Sequence, residues 1–194
     1  MWLDKFIFGI VSEPLQLFRN PANLNWIDIE LGETDRNLFG DKKKSIRKII
    51  SNITIDIYNC DIDTINQLQS IRNNIYEFKI LKCTDRKFKI ENEIRISDTT
   101  NIIYIANSSR YDIQILGVWL YDDINKEGTN YYLGGTFDFD LKQINLGTPL
   151  PSANTKVRID YVYSGWIGDI TEMAIKYTAD KPLLADVSIS IEGV

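Results

Sequence analysis

A mainly β fold, an antiparallel sandwich or barrel with one packed helix plus a smaller inserted β-sandwich, is predicted by three features of this 194-residue chain. Residues that fit a pleated, half-buried surface are abundant: ten Tyr, eight Phe and four Trp, with Ile throughout. Period-two alternation recurs along most of the sequence. Only one stretch places apolar residues at the three- and four-residue spacing of a helix.

Residues 1–25 form an apolar arm, with Trp2, Leu3, Phe6, Ile7, Phe8 and Ile10 ahead of Pro14 and Pro21, whose rings block a continuous helix. The arm is expected to close over its own domain as a first strand or to dock on a neighbouring subunit, with Trp2, Phe6 and Phe8 as contact candidates. Trp26-Ile27-Asp28-Ile29-Glu30-Leu31 then alternates apolar and acidic, which predicts a half-buried strand whose carboxylates face water. A turn is expected at Gly32-Glu33-Thr34-Asp35. Lys42, Lys43 and Lys44 read as a solvated basic loop and not a phosphate site, since no Gly-rich cradle accompanies them; the loop is expected to meet an acidic patch of a neighbouring subunit or to line a lumen near DNA.

Ile49, Ile53, Ile55 and Ile57 set up the next strand, with Asn52, Thr54 and Asp56 facing the other way. The helix follows, capped by Asp61 or Asp63, with Ile65, Leu68, Ile71 and Ile75 on one face and Asn73-Asn74 at its end. Strands are expected over residues 76–83 and 88–96. Beyond Ser97 the texture changes to closely spaced strands at 102–106, 112–121, 131–139, 143–146 and 155–163. Gly165-Trp166-Ile167-Gly168 reads as a junction, followed by strands at 172–178 and 187–191. The last of these is amphipathic and needs the earlier sheet to finish. The expected organisation is therefore an arm at 1–25, one β domain built from 26–98 and 165–194, and an inserted module at 99–164.

Composition narrows the chemistry. Histidine is absent, which removes Ser-His-Asp, Cys-His and HExxH chemistry together with the commonest zinc ligand. Cys60 and Cys83 lack CxxC spacing and read as buried thiols in a protein made in a reducing compartment. A net charge of −5 argues against nucleic-acid wrapping, and the opening residues fit neither a signal peptide nor a membrane span. Three carboxylate pairs remain: Asp28/Glu30, Asp122/Asp123 and Asp138/Asp140. A glycosidase would need two carboxylates across a cleft, whereas Asp28/Glu30 and Asp138/Asp140, two apart on strands, lie on ordinary solvated faces. No enzyme, cofactor or metal is expected. Trp119, Tyr121, Tyr131, Tyr132, Tyr161, Tyr163 and Trp166 supply core packing, an interface, or a glycan-stacking surface; Trp119, Tyr132 and Trp166 are the contact candidates.

The stretch from Asp98 to Ser164 resembles a β-module of tailed-bacteriophage structural proteins. The resemblance rests on Asp98-Thr99-Thr100, Val118-Trp119-Leu120, Tyr131-Tyr132-Leu133, Gln143-Ile144-Asn145-Leu146, Thr148-Pro149-Leu150-Pro151-Ser152-Ala153 and the closing Val157-Arg158-Ile159-Asp160-Tyr161-Val162-Tyr163. The flanking halves look like tail-tube-derived domains such as the distal tail protein, on the order of strand, basic segment at Lys42 to Arg47, strand, capped helix, strand and terminal strand. Ser152-Ala153-Asn154 replaces the glycine turn of the module, and its Gly-rich opening is missing. The resemblance implies a virion tail protein, made in the host cytoplasm and placed at the tail tip or baseplate. It further implies a ring of like subunits, often hexameric, with other tail or baseplate proteins as partners, no membrane, no sequence-specific nucleic acid, and a lumen that passes viral DNA. The alternative expectation is a carbohydrate-binding β-sandwich that recognises host-surface glycans through Trp119 and Tyr132.

Overall fold

The computed structural model describes residues 6–10, 14–17, 23–36, 42–83 and 86–194. The chain is mainly β, and its strand pairs are antiparallel. It divides into two compact units, one of Met1–Arg86, Ser109–Tyr111 and Gly165–Val194, the other of Lys87–Ser108 and Asp112–Ser164.

In the first unit the strands are β1 (Phe6–Ile10), β2 (Pro14–Leu17), β3 (Asn23–Arg36), β4 (Lys42–Asp61) and, after helix α1 (Ile62–Asn73), β5 (Lys79–Cys83). The second unit holds β6 (Phe88–Ile96) and β7 (Ile102–Tyr104) before the chain returns to the first for β8 (Arg110–Tyr111). It then supplies β9 (Gln114–Leu120), β10 (Thr136–Asp138), β11 (Gln143–Asn145) and β12 (Lys156–Tyr163) to the second, and β13 (Gly165–Thr178) and β14 (Lys181–Gly193) to the first.

One eight-stranded sheet runs in the order β2-β1-β5-β13-β14-β4-β3, with β8 also paired to β13. Register explains why its inner face is apolar. Ile53, Ile55 and Ile57 of β4 stand opposite Ile191, Ile189 and Val187 of β14, and all six are at most 2% exposed. Phe8 of β1 stands opposite Leu81 of β5, which in turn stands opposite Trp166 of β13, and these three are equally buried. Helix α1 packs on this sheet through Ile65 and Leu68. Its first turn is closed by Asp61, whose carboxylate accepts the Thr64 amide at 2.8 Å, and Asp63 and Arg72 sit at the ends that favour their charges. The outer face, by contrast, carries Asn52, Thr54 and Asp56 beside Ser188, Ser190 and Glu192.

The second unit contains two three-stranded sheets, β10-β11-β7 and β6-β12-β9. Ile103, Ile144, Val118, Val157, Ile159 and Tyr161 are fully buried. The buried Tyr161 hydroxyl is satisfied by Glu93 at 2.6 Å, and the other Glu93 oxygen accepts the Ala106 amide at 2.7 Å. A bulge in β12 carries Asp160, which pairs with Lys126 and accepts the Asn92 amide at 2.8 Å.

Of the two expectations for residues 1–25, the described residues meet the first: 6–10 and 14–17 are strands of the large sheet, because β1 inserts between β2 and β5 and buries Phe8 there. Other expectations are corrected. The expected turn at Gly32-Glu33-Thr34-Asp35 is strand; a bulge between Leu31 and Gly32 lets the pairing continue. Lys42, Lys43 and Lys44 lie in β4, not in a loop, and Lys43 stands in register with Asp35 of β3. The boundary expected at 98 falls at Arg86, since β6 pairs with β12 in the second unit. Residues 76–78 and 131–135 are not strand, whereas the junction expected at Gly165-Trp166-Ile167-Gly168 is where the chain leaves the second unit and opens β13 of the first.

Candidate functional site

Two surfaces gather side chains that the cores do not account for. The first is the edge strand β3. Residues opposite one another in an antiparallel pair share a face, so Trp26, opposite Ile53, and Asp28, opposite Ser51, lie on the inner face. Trp26 packs against Trp166 with ring centroids 5.3 Å apart. One Asp28 oxygen accepts the Ser51 hydroxyl at 2.6 Å and the other accepts Arg110 Nη2 at 3.1 Å. Arg110 and Ser51 are buried, and Ser109 Oγ accepts the Ser51 amide at 3.0 Å, so the short β8 segment is tied into the first unit by charge as well as by pairing. The solvated face expected for Asp28 is therefore corrected, because Arg110 draws the carboxylate inward.

This inversion turns the isoleucines outward. Ile27 is 69% exposed and Ile29 is 37% exposed; they stand opposite Asn52 and the buried Ile50, on the face that carries Thr54 and Asp56 of β4 and Ser188, Ser190 and Glu192 of β14. Apolar residues on the water-facing side of an edge strand are what natural sheets avoid unless another surface covers them.

The second surface belongs to the sheet β6-β12-β9. Lys156 and Arg158 lie two apart on β12 and share a face. The Lys156 ammonium sits 3.7 Å from the Tyr121 ring centroid, and the Arg158 guanidinium carbon 4.6 Å from it. Arg158 Nε donates to the Tyr121 carbonyl at 2.7 Å, and the Tyr121 amide donates to the Lys156 carbonyl at 3.0 Å, which fixes both strands around the ring. Beside them opens a depression of about 350 Å³ lined by Leu120, Tyr121, Asp122, Pro151, Thr155 and Lys156. The six-membered ring of Trp119 crowds Gly117, where an added Cβ would collide with the indole, and the Lys126 ammonium is 5.3 Å from the Trp119 ring centroid.

The residues singled out from sequence are scattered. Trp2 lies outside the described residues. Phe6 stands opposite Leu17 and Cys83, and Lys42, Lys43 and Lys44 opposite Arg36, Asp35 and Thr34. Phe8 and Trp166 are corrected as contact candidates: at 0% and 1% exposure they are core residues of their own unit. Trp119 and Tyr132 are half-buried in the second unit, and partial burial raises the Tyr132 phenol above its ordinary value. The carboxylate pairs are occupied structurally where partners exist. Asp123 accepts the Glu127 and Gly128 amides at 3.1 and 2.9 Å, and Asp138 accepts the Leu141 amide at 3.0 Å. Among the described residues no group of three or more Cys, Asp or Glu side chains is arranged to hold a metal ion, and no helix is long and apolar enough to cross a membrane.

The outward placement of Ile27 and Ile29 is not legible in the sequence, because alternation fixes which residues share a face but not which face meets water. Lys156 and Arg158 were missed because their common aromatic partner, Tyr121, lies just past the end of the neighbouring strand β9. No protein-family model matches this chain, and no curated protein matches it significantly.

Proposed function

We propose that this protein is a structural component of a bacteriophage tail, at the tail tip or baseplate, whose copies dock into a ring. The observation that carries the reading is the outward-facing pair Ile27 and Ile29 on edge strand β3, 69% and 37% exposed, on the sheet face that also carries Asn52, Thr54 and Asp56 of β4. Such a strand offers a second copy both backbone groups along its edge and an apolar strip to cover, so a feature that would promote aggregation becomes a specific contact. The sheet ends in two unlike strands, β2 and β3, and pairing of unlike surfaces between copies generates rings when the rotation closes. The resemblance of residues 98–164 to a phage β-module supplies the biological setting.

The test is the mass of the full-length protein by size-exclusion chromatography with light scattering, together with negative-stain images. A multimer with a central channel is expected, with each contact burying more than about 1,000 Å². Ile27→Asp should shift the protein to monomer while leaving its thermal transition in place, since the side chain lies on no core face. A wild-type protein that stays monomeric at high concentration would overturn the reading.

A further inference from the structure

We propose that the depression beside Tyr121 binds an acidic sugar of a polysaccharide, with its carboxylate on Lys156 and its hydroxyls on Asp122. Two cations are gathered on one ring there, and neither Lys156 nor Arg158 has a carboxylate partner among the described residues. Arg158 is held by its Nε bond to the Tyr121 carbonyl, which leaves the Nη groups with no protein acceptor among the described residues. Lys156 lines the depression, and Arg158 on the same ring adds positive charge close by, which favours an anionic ligand.

The lining says more than anion. Asp122 is exposed and shares the depression with Lys156, yet the two form no ion pair. A carboxylate repels a bare anion but accepts hydrogen bonds from hydroxyls, so the complementary ligand carries both an acid group and hydroxyl donors. Leu120 and Pro151 add apolar surface for the C–H face of a ring, and a volume of about 350 Å³ lies at the small end of ligand pockets, where a single pyranose fits. A uronic acid has this combination in one residue. A nucleic-acid strand does not fit as well, because the chain's net charge of −5 opposes a polyanion bound through many phosphates.

This inference does not depend on ring assembly. The full-length protein would be titrated by calorimetry with a hyaluronan hexasaccharide, whose glucuronates carry the acid, with chitohexaose, its neutral counterpart, and with inorganic phosphate. Saturable binding of hyaluronan alone is expected. Lys156→Ala should weaken it roughly tenfold, the loss of one charge-assisted hydrogen bond, and Asp122→Asn should weaken it less. Both residues are exposed, so the thermal transition and the mass by light scattering should not change. Failure of hyaluronan to bind, equal binding of chitohexaose, phosphate binding without hyaluronan binding, or unchanged affinity in Lys156→Ala would each overturn the proposal.

Discussion

Asp28 shows how one charge sets the direction of a strand. The alternation from Trp26 to Leu31 was legible in the sequence, but the usual inference that apolar side chains face inward fails here. Arg110, 82 residues away, is buried and needs a carboxylate, and Asp28 supplies it with further support from the Ser51 hydroxyl. A partner that distant leaves no mark on local periodicity. Asp28→Asn should lower unfolding free energy by about 2 kcal/mol in urea titration, less than a fully buried pair because Asp28 is about one-third exposed. Lys142 offers a second test. Burial pushes its ammonium down to about 8 from an ordinary 10.5, against the opposing charge of Asp140, while the Phe139 ring lies 3.3 Å below it. Between these values the unfolded chain holds more protons than the folded one, so this group makes stability rise as pH increases from about 8 to 10.5. Melting curves across that window should therefore converge with those of Lys142→Met from below as pH rises, and parallel curves would show that the ammonium is not desolvated.

The elements themselves were largely readable where the pattern is local. Helix α1 carries its signal within thirteen residues: a capping Asp61, core positions Ile65 and Leu68, and mostly polar residues between them and the helix end. Ile71 and Ile75 continue the spacing but not the burial; Ile75 lies beyond the helix and is 78% exposed. Asp61→Ala should cost about 1 kcal/mol by removing the acceptor of the Thr64 amide, measurable as a lowered urea midpoint with unchanged slope. Partnership between elements was not readable. Residues 88–96 alternate in the way residues 49–57 do, yet one strand pairs β12 and the other pairs β14 and β3. The three consecutive lysines at 42–44 suggest a loop only while β4 is considered alone; pairing with a long strand that places Asp35 opposite Lys43 extends it through them. The Tyr121 cluster is similarly hidden, since β9 and β12 are distant in sequence and meet only through register.

At the level of the assembled chain, the N-terminal segment and the β3 edge have separable roles. An arm reserved for a neighbour could be removed without harming the subunit, but β1 lies inside the sheet, with Phe8 fully buried opposite Leu81 and β5 continuing the sheet on its far side. Truncating Phe8 to Ala alone should cost about 3–5 kcal/mol, a large share of the roughly 5–15 kcal/mol that holds a typical domain folded. Deleting residues 1–25 removes β1, β2 and the first three residues of β3, and bares the backbone edge of β5. The truncated protein should lose its cooperative urea transition or be recovered as aggregate, while Ile27→Asp, which touches only the outer face, should remain folded and lose only self-association. A soluble truncated chain with a wild-type transition would mean that β1 contributes little to the subunit and is free to serve a neighbouring copy. The contrast between the two variants decides whether the apolar surface near the N-terminus maintains the fold or joins one copy to the next.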